Sequence, residues 1–284
     1  MKLPHPINLL EELMTHLRKI TTAVAAVFAI GAGVLMAQAT VGPKDVALPK
    51  GYETWQMYQQ VNRHDTKQYR ELYAKPEIVK AVREGKPVPN GAVLVMAIFG
   101  AQVDADGKPT RDAKNNFIKG KPISVTVMEK RAGWGASVPA EWRNGDWQYA
   151  SYLPDGAPNE KAHAGIKACF DCHLPHAKQD FVISLASLSG TALGAAQRPS
   201  GPGSVAIAEF LFGPEKITVK AGQSITWTNV DDSPHQVTVQ GATTLRTPVV
   251  LKGQSTALQF NDEGTYGYIC GLHPGMKGEI VVTK

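Results

Sequence analysis

Two textures of hydrophobic patterning divide this chain. Between residues 204 and 284, short alternating runs recur at Val205 to Phe212, Ile217 to Val219, Ser224 to Asn229, Gln236 to Val239, Ser255 to Phe260, Thr265 to Cys270 and Gly278 to Val282. Gly, Pro and Asp turns break them, a spacing that predicts a small all-β Greek-key sandwich. Between residues 40 and 188 the pattern is mixed. Pro76 to Arg83 reads as a short helix with proline at its first position and Gly85 as its stop. Ala92 to Phe99 is an apolar, β-branched run, Asp104 to Gly107 a turn, and Ile123 to Lys130 a second alternating strand. Arg143-Asn-Gly145 predicts a tight hairpin leading into Trp147 to Leu153, and Asp180 to Leu188 returns to apolar character. The expectation is an α+β domain on a mainly antiparallel sheet, followed by an all-β domain. Residues 189–203, rich in small residues, Gly and Pro with no apolar period, read as a linker that lets the two domains sit at variable distance.

The first 39 residues have a different purpose. Arg18-Lys19 precedes an apolar stretch from Ile20 to Met36 and the small-residue site Ala37-Gln38-Ala39, the layout of an export signal, so that the mature chain starts near Thr40. The n-region is long, which makes Met14 an alternative start. An uncleaved anchor is the other reading, and membrane contact is expected only in that case. Either way the remainder faces an oxidising compartment, most simply the bacterial periplasm.

Composition adds two constraints. With 284 residues, 43% of them hydrophobic, the chain can build packed cores for one or two domains. Its formal charge of +5 falls to +4 without the first 39 residues, which hold Lys2, Arg18 and Lys19 against Glu11 and Glu12. No run of Lys or Arg could track phosphates, which argues against a nucleic-acid partner and leaves room for redox partner proteins with an acidic face.

The chemistry lies in two motifs that use all three cysteines. In Cys169-Phe-Asp-Cys172-His173, two thiols three positions apart followed by a histidine are what covalent attachment of haem c requires, with His173 as proximal iron ligand. A redox disulfide or half of a zinc site explains the thiols but not the adjacent histidine. In the second domain, His235 precedes Cys270-Gly-Leu-His273-Pro-Gly-Met276. A copper ion that cycles between two charges needs a thiolate, two imidazoles and a weak axial thioether, and all four ligand types are present. Zinc would favour a harder fourth ligand; a buried free thiol with Met276 as core packing is the plainer alternative.

Trp55, Tyr69-Arg-Glu-Leu-Tyr73, Asn90-Gly-Ala-Val-Leu-Val95, Val127-Met-Glu-Lys130, Gly133-Trp134, Gly145-Asp-Trp147 and the Cys169-Cys172-His173 motif together resemble the cytochrome P-460 family over most of residues 48–186. The resemblance implies haem c held against a mainly antiparallel sheet; family members include nitric oxide-binding cytochromes and enzymes that oxidise hydroxylamine. Members with a cross-linked chromophore have a lysine where this chain has Met96, so that bond cannot form here. Met96 is then either a distal iron ligand or a gap-filler beside an open or water-bound site. His64, His163 and His176 are expected to be solvated or supporting residues, the last two in reach of haem propionates. Glu129 and Arg131 are either polar pocket residues or an exposed strand end.

The second domain resembles the blue copper proteins of the amicyanin and plastocyanin type through Trp227-Thr-Asn229, Ser233-Pro-His235-Gln-Val237, Gly264 to Cys270, and His273-Pro-Gly-Met276-Lys-Gly-Glu-Ile-Val281. The resemblance implies that His235, Cys270, His273 and Met276 bind type 1 copper and that the Gln236 backbone N–H donates to the Cys270 sulfur. It also implies His273, Pro274 and Gly275 as the surface route for electrons.

The expectation is an exported two-centre redox protein carrying single electrons through haem c and copper. The alternatives are a haem enzyme acting on a small nitrogen oxide, hydroxylamine or peroxide with the copper domain as electron donor or acceptor, and a nitric oxide-binding sensor or scavenger. No catalytic residue is assigned. With no His-rich second copper site, nitrite reduction at copper is not expected.

Overall fold

The computed structural model describes residues 42–191, 199, 201–241 and 245–284, so the expected export segment and most of the expected linker lie outside the described residues. Five strands, β1 (Gln56–Arg63), β2 (Gln68–Ala74), β3 (Val93–Ala101), β4 (Lys119–Lys130) and β5 (Trp147–Tyr152), form an antiparallel sheet in sequence order. Helix α1 (Pro76–Arg83) begins at its proline and ends before Gly85, whose φ of 79° suits glycine. Three further short helices follow β5: α2 (Glu160–Ala164), α3 (Lys167–His173) and α4 (Leu185–Leu188).

Side-chain alternation gives this sheet two buried faces. On one, Leu94 joins Ile78, Val79 and Val82 of α1 and Trp147, Phe170 and Leu188; on the other, Val95 and Ala97 join Val127, Ala150, Tyr73 and Tyr152. Met96 falls on the Leu94 face by the same alternation, toward the helices that carry the thiol motif.

Two expectations are corrected. The Asn144-Gly145 turn is not the loop of a tight hairpin: β4 ends at Lys130 and β5 begins at Trp147, and the turn only feeds the chain into β5 through Trp147 N–H donating to the Asn144 carbonyl at 3.1 Å. The reason is burial. Asn144 is fully buried and its Nδ2 donates to the Tyr149 hydroxyl (2.9 Å) and the Phe170 carbonyl (3.0 Å), so it anchors α3 rather than serving an exposed turn. The variable spacing expected of the two domains is also not seen, because the chain from residue 41 to 284 forms one compact unit.

The second domain is a sandwich of two sheets among the described residues. One holds β6 (Ser204–Ala208), β7 (Leu211–Gly213), β9 (Gln223–Asn229) and β12 (Ser255–Phe260); the other holds β8 (Lys216–Lys220), β10 (Val237–Val239), β11 (Leu245–Arg246), β13 (Gly264–Cys270) and β14 (Lys277–Thr283). Trp227, Ile225, Val237, Tyr268 and Ile280 fill the space between them. The expected run from Val205 to Phe212 is split, since Glu209 and Phe210 take φ of 52° and 58° and form the two-residue tip of the β6–β7 hairpin.

Candidate metal centre and adjoining cavity

Cys270 ends β13, and the chain turns at once so that Cys270 N–H donates to the Met276 carbonyl (3.1 Å) and Met276 N–H to the His273 carbonyl (2.9 Å). His235 comes from the loop before β10 rather than from a strand, held by paired backbone bonds with Val250 at 3.1 and 2.7 Å. These connections bring three donor atoms together. Cys270 Sγ lies 3.6 Å from His235 Nδ1 and 3.5 Å from His273 Nδ1, and the two nitrogens are 3.3 Å apart. A triangle with edges of about 3.5 Å has corners about 2.0 Å from its centre, edge over √3, which is a metal–ligand bond length. The donor set therefore fits a metal ion without rearrangement.

The surroundings favour the charged sulfur. Burial would push the Cys270 thiol up, but hydrogen bonding from His235, His273 and the Gln236 N–H, the last at 3.5 Å, brings it down to about 5. The Gln236 contact is the one the resemblance to blue copper proteins implies. His235 Nε2 bonds Asp231 Oδ2 at 3.0 Å, which orients the ring and leaves Nδ1 facing the triangle. Cys270, His235 and Met276 are each fully buried, while His273 is half-buried.

The second cluster lines a cavity of about 640 Å³, within the range of cofactor sites. Cys169, Cys172 and His173 of α3 form part of its wall, with Leu94, Met96, Met128 and Tyr149 opposite or beside them. His173 Nδ1 lies 2.7 Å from the Phe181 carbonyl, which can only accept, so Nδ1 carries the proton and Nε2 is left with its lone pair. Burial lowers His173 to about 4, so the imidazole is neutral near pH 7. Asp180 and Phe181, which present that carbonyl, both have left-handed backbone, φ of 52° and 59°, and are tied down by Trp147 Nε1 donating to the Asp180 carbonyl (2.8 Å) and by the Lys130–Asp180 ion pair (2.8 Å). Burial and the nearby Cys172 raise Cys169 to about 11, unlike a redox-active thiol, which is depressed. A neutral ring nitrogen and two unpaired thiols on one helix fit a haem c.

Met96 lies on the cavity wall, with Sδ 4.0 Å from Arg70 Nη1. Arg70 is a site residue that patterning does not reveal. Among the described residues its guanidinium otherwise bonds only the Gln68 side chain, at 3.1 and 2.7 Å, and no carboxylate pairs with it. Burial and the like charge of Arg63 lower it to about 9, so an anion in the cavity would be favoured beside it. His163 and His176, expected in reach of haem propionates, and Glu129 and Arg131, weighed as pocket residues, do not line the cavity. His163 Nε2 accepts from the Ser151 N–H (3.0 Å), His176 is buried with Nδ1 3.1 Å from Gln179 Oε1, and Glu129 pairs with Arg131 at 2.6 Å. His64 is half-buried beside Arg111 and Glu209 rather than solvated.

His273 also lines this cavity, as do Phe210 and Asp231 of the second domain. One cavity thus runs from the thiol motif to the metal triangle.

Comparison with known proteins agrees with both halves. Residues 49–184 match the family described as Cytochrome P460, and residues 181–282 match the Cupredoxin-like domain. Amicyanin-alpha of Methylorubrum extorquens is 36% identical over 113 residues, spanning 36% of this chain and 95% of that protein. Amicyanin of Paracoccus denitrificans is 36% identical over 98 residues (33% of this chain, 75% of that protein), and plastocyanin of Scenedesmus fuscus 36% over 85 residues (26% and 87%). Among solved structures, a reduced single-substitution variant of amicyanin is similar at 34% identity, covering 31% of this chain and 89% of that one with a TM-score of 0.28. The chain therefore belongs to the cupredoxin family through residues 181–282, the amicyanin-like blue copper domain, which follows a region that matches the family described as Cytochrome P460.

Proposed function

We propose that this is an exported redox protein in which a covalently attached haem c and a type 1 copper exchange single electrons. Carrying the reading is the single cavity whose wall includes Cys169, Cys172 and His173 at one side and His273 at the other. Cys169, Cys172 and His173 Nε2 would hold the haem, while His235, Cys270, His273 and Met276 would hold the copper. When bound, the pair supplies one-electron chemistry, Cu(I) with Fe(III) against Cu(II) with Fe(II), with no atom transferred. The chain keeps the copper donors fixed within a packed sandwich, so little has to move on oxidation. The export segment in the first 39 residues puts the protein in the periplasm, where haem c is attached.

A second reading is favoured by Arg70. A guanidinium beside Met96 on the cavity wall, with no carboxylate partner among the described residues, suits a small anionic nitrogen oxide or peroxide-derived ligand, making the first domain an enzyme or a nitric oxide-binding site supplied with electrons by the copper domain.

Optical and EPR spectra of the oxidised and reduced holoprotein test both. Copper with narrow hyperfine splitting beside a low-spin haem that changes to high spin in Met96→Leu supports the carrier with His173/Met96 ligation. The same copper signal beside a high-spin haem that binds carbon monoxide supports the second reading. Absence of either chromophore overturns the two-centre proposal.

A further inference from the structure

The tip of the β6–β7 hairpin is built against local preference. A two-residue hairpin turn with positive φ at both positions ordinarily uses Asn-Gly, and here holds Glu209 and Phe210. Left-handed backbone at two non-glycine residues is costly, and it persists only where surrounding contacts fix it. The Asp231 carboxylate does so from within the copper domain, accepting from the Glu209 N–H (2.6 Å) and the Phe210 N–H (2.9 Å). The same Asp231 bonds His235, so the tip is tied directly to the copper triangle.

The tip's side chains reach both domains. The Phe210 ring lies edge-on to His273 (4.9 Å between centroids) and to His235 (5.3 Å). Its face meets the Arg63 guanidinium of the haem domain at 4.4 Å, and that guanidinium is itself held by Asp65 through bonds of 2.8 and 2.9 Å. Glu209 turns the other way, into the haem domain. Its carboxylate accepts from Asn62 Nδ2 (3.0 Å) and Arg111 Nη2 (3.0 Å), and its carbonyl from the His64 N–H (3.2 Å). Beside the tip, the copper loop approaches the haem domain so closely that a β-carbon on Gly275 would lie 2.7 Å from the Asp65 carbonyl oxygen. The outer positions of that loop, Leu272 and Pro274, remain exposed.

We infer that the Glu209-Phe210 tip is an interdomain clasp: Glu209 locks the copper domain to β1, its following turn and Arg111 of the β3–β4 connection, and Phe210, held between Arg63 and His273, keeps His273 facing the haem cavity. This rests on the two-centre reading. His273, expected to be a surface route for outside partners, becomes the inner contact to the chain's own haem domain, and Phe210 and Glu209 are positioning residues for that contact.

The test uses the full holoprotein and three variants. Glu209→Arg faces Arg111 with a like charge, Glu209→Arg with Arg111→Glu restores the pair in reverse, and Phe210→Leu removes the ring alone. Glu209→Arg is expected to enlarge the particle in small-angle scattering, abolish amide-exchange protection at His64, and eliminate the concentration-independent phase of copper–haem electron transfer after flash reduction. The copper band should stay unchanged in that variant. The charge swap should recover all three properties, and Phe210→Leu should slow the concentration-independent phase without enlarging the particle. Wild-type scattering and His64 protection in Glu209→Arg would overturn the clasp, as would a swap that folds with both bands present but recovers nothing. A wild-type protein lacking the copper or haem band would overturn the two-centre reading instead, while scattering and amide exchange still decide the clasp.

Discussion

The two centres of this protein are completed in opposite ways. The copper triangle is closed by the chain itself: three donors lie 3.3 to 3.6 Å apart, Cys270, His235 and Met276 are fully buried, and the sandwich core runs up to them. The other centre is a cavity of about 640 Å³ with the thiols of Cys169 and Cys172 and the His173 ring on its wall, the place of the proposed haem. A site held rigid by its own packing can change oxidation state with little movement, whereas a site built around a bound group gains part of its stability on loading. The copper domain is thus a finished scaffold that accepts an ion. On the proposed reading, the first domain has packed clusters of its own on both sheet faces and a haem would complete only its cavity.

The sharpest way to break that contrast is to remove each attachment in turn. Replacing Cys169 and Cys172 by serine should abolish the haem retained after denaturation, read by mass of the denatured chain, and should lower the melting temperature of the first domain. Cys270→Ser should abolish the intense red band yet leave the second domain's unfolding transition within about 1 kcal/mol of the apo wild type, since its core does not use the metal. Equal destabilisation of both domains would show that the copper site is no more preformed than the haem site.

A smaller effect probes the support beneath His173. Trp147 is fully buried and its Nε1 holds the strained Asp180-Phe181 segment, so Trp147→Phe should cost about 1–3 kcal/mol in urea unfolding through the unpaired Asp180 carbonyl. It should also shift the haem spectrum, because Phe181 sets the orientation of His173. A destabilised variant with an unaltered spectrum would leave Trp147 as core packing alone.

The smallest effect concerns the junction. Burial pushes the Glu209 carboxyl up, but bonds from His64, Asn62 and Arg111 outweigh it and hold the carboxyl at about 2, against an ordinary 4.5. A depressed folded value means that the contribution is fully present above pH 4.5 and is lost as pH falls through about 2. The facing charged groups are Arg111 and His64 from the haem domain, with Asp231 at the backbone of the tip. Interdomain amide protection should therefore decline between pH 4.5 and 2 in the wild type, and Glu209→Gln should flatten that decline. An identical decline in both would assign the acid sensitivity to other carboxylates.

Legibility from sequence differed between the halves for physical reasons. The sandwich strands were readable because each alternates between a dry core and water; the expected runs at Ser255 to Phe260 and Thr265 to Cys270 match β12 and β13 to within one residue. Strands β1 and β2 were not predicted as strands. Gln56–Arg63 is dominated by polar side chains, because its residues face a cavity and a neighbouring domain instead of an apolar core. Asn144-Gly145 misled for a related reason, since its turn signal was real but the asparagine was spent on burial.

By itself the sequence determined the donor chemistry: Cys169, Cys172 and His173 in one motif, and Cys270, His273 and Met276 in another, because ligand type and close spacing are local properties of a chain. Only the tertiary structure decided where His235 meets Cys270 and His273, that Arg70 stands beside Met96 with no carboxylate partner among the described residues, and that His273 looks into the cavity of Cys172. Those relations join residues tens to more than a hundred positions apart. They follow from sheet register and from a strained two-residue turn gripping a second domain, neither of which leaves a periodic trace in the sequence.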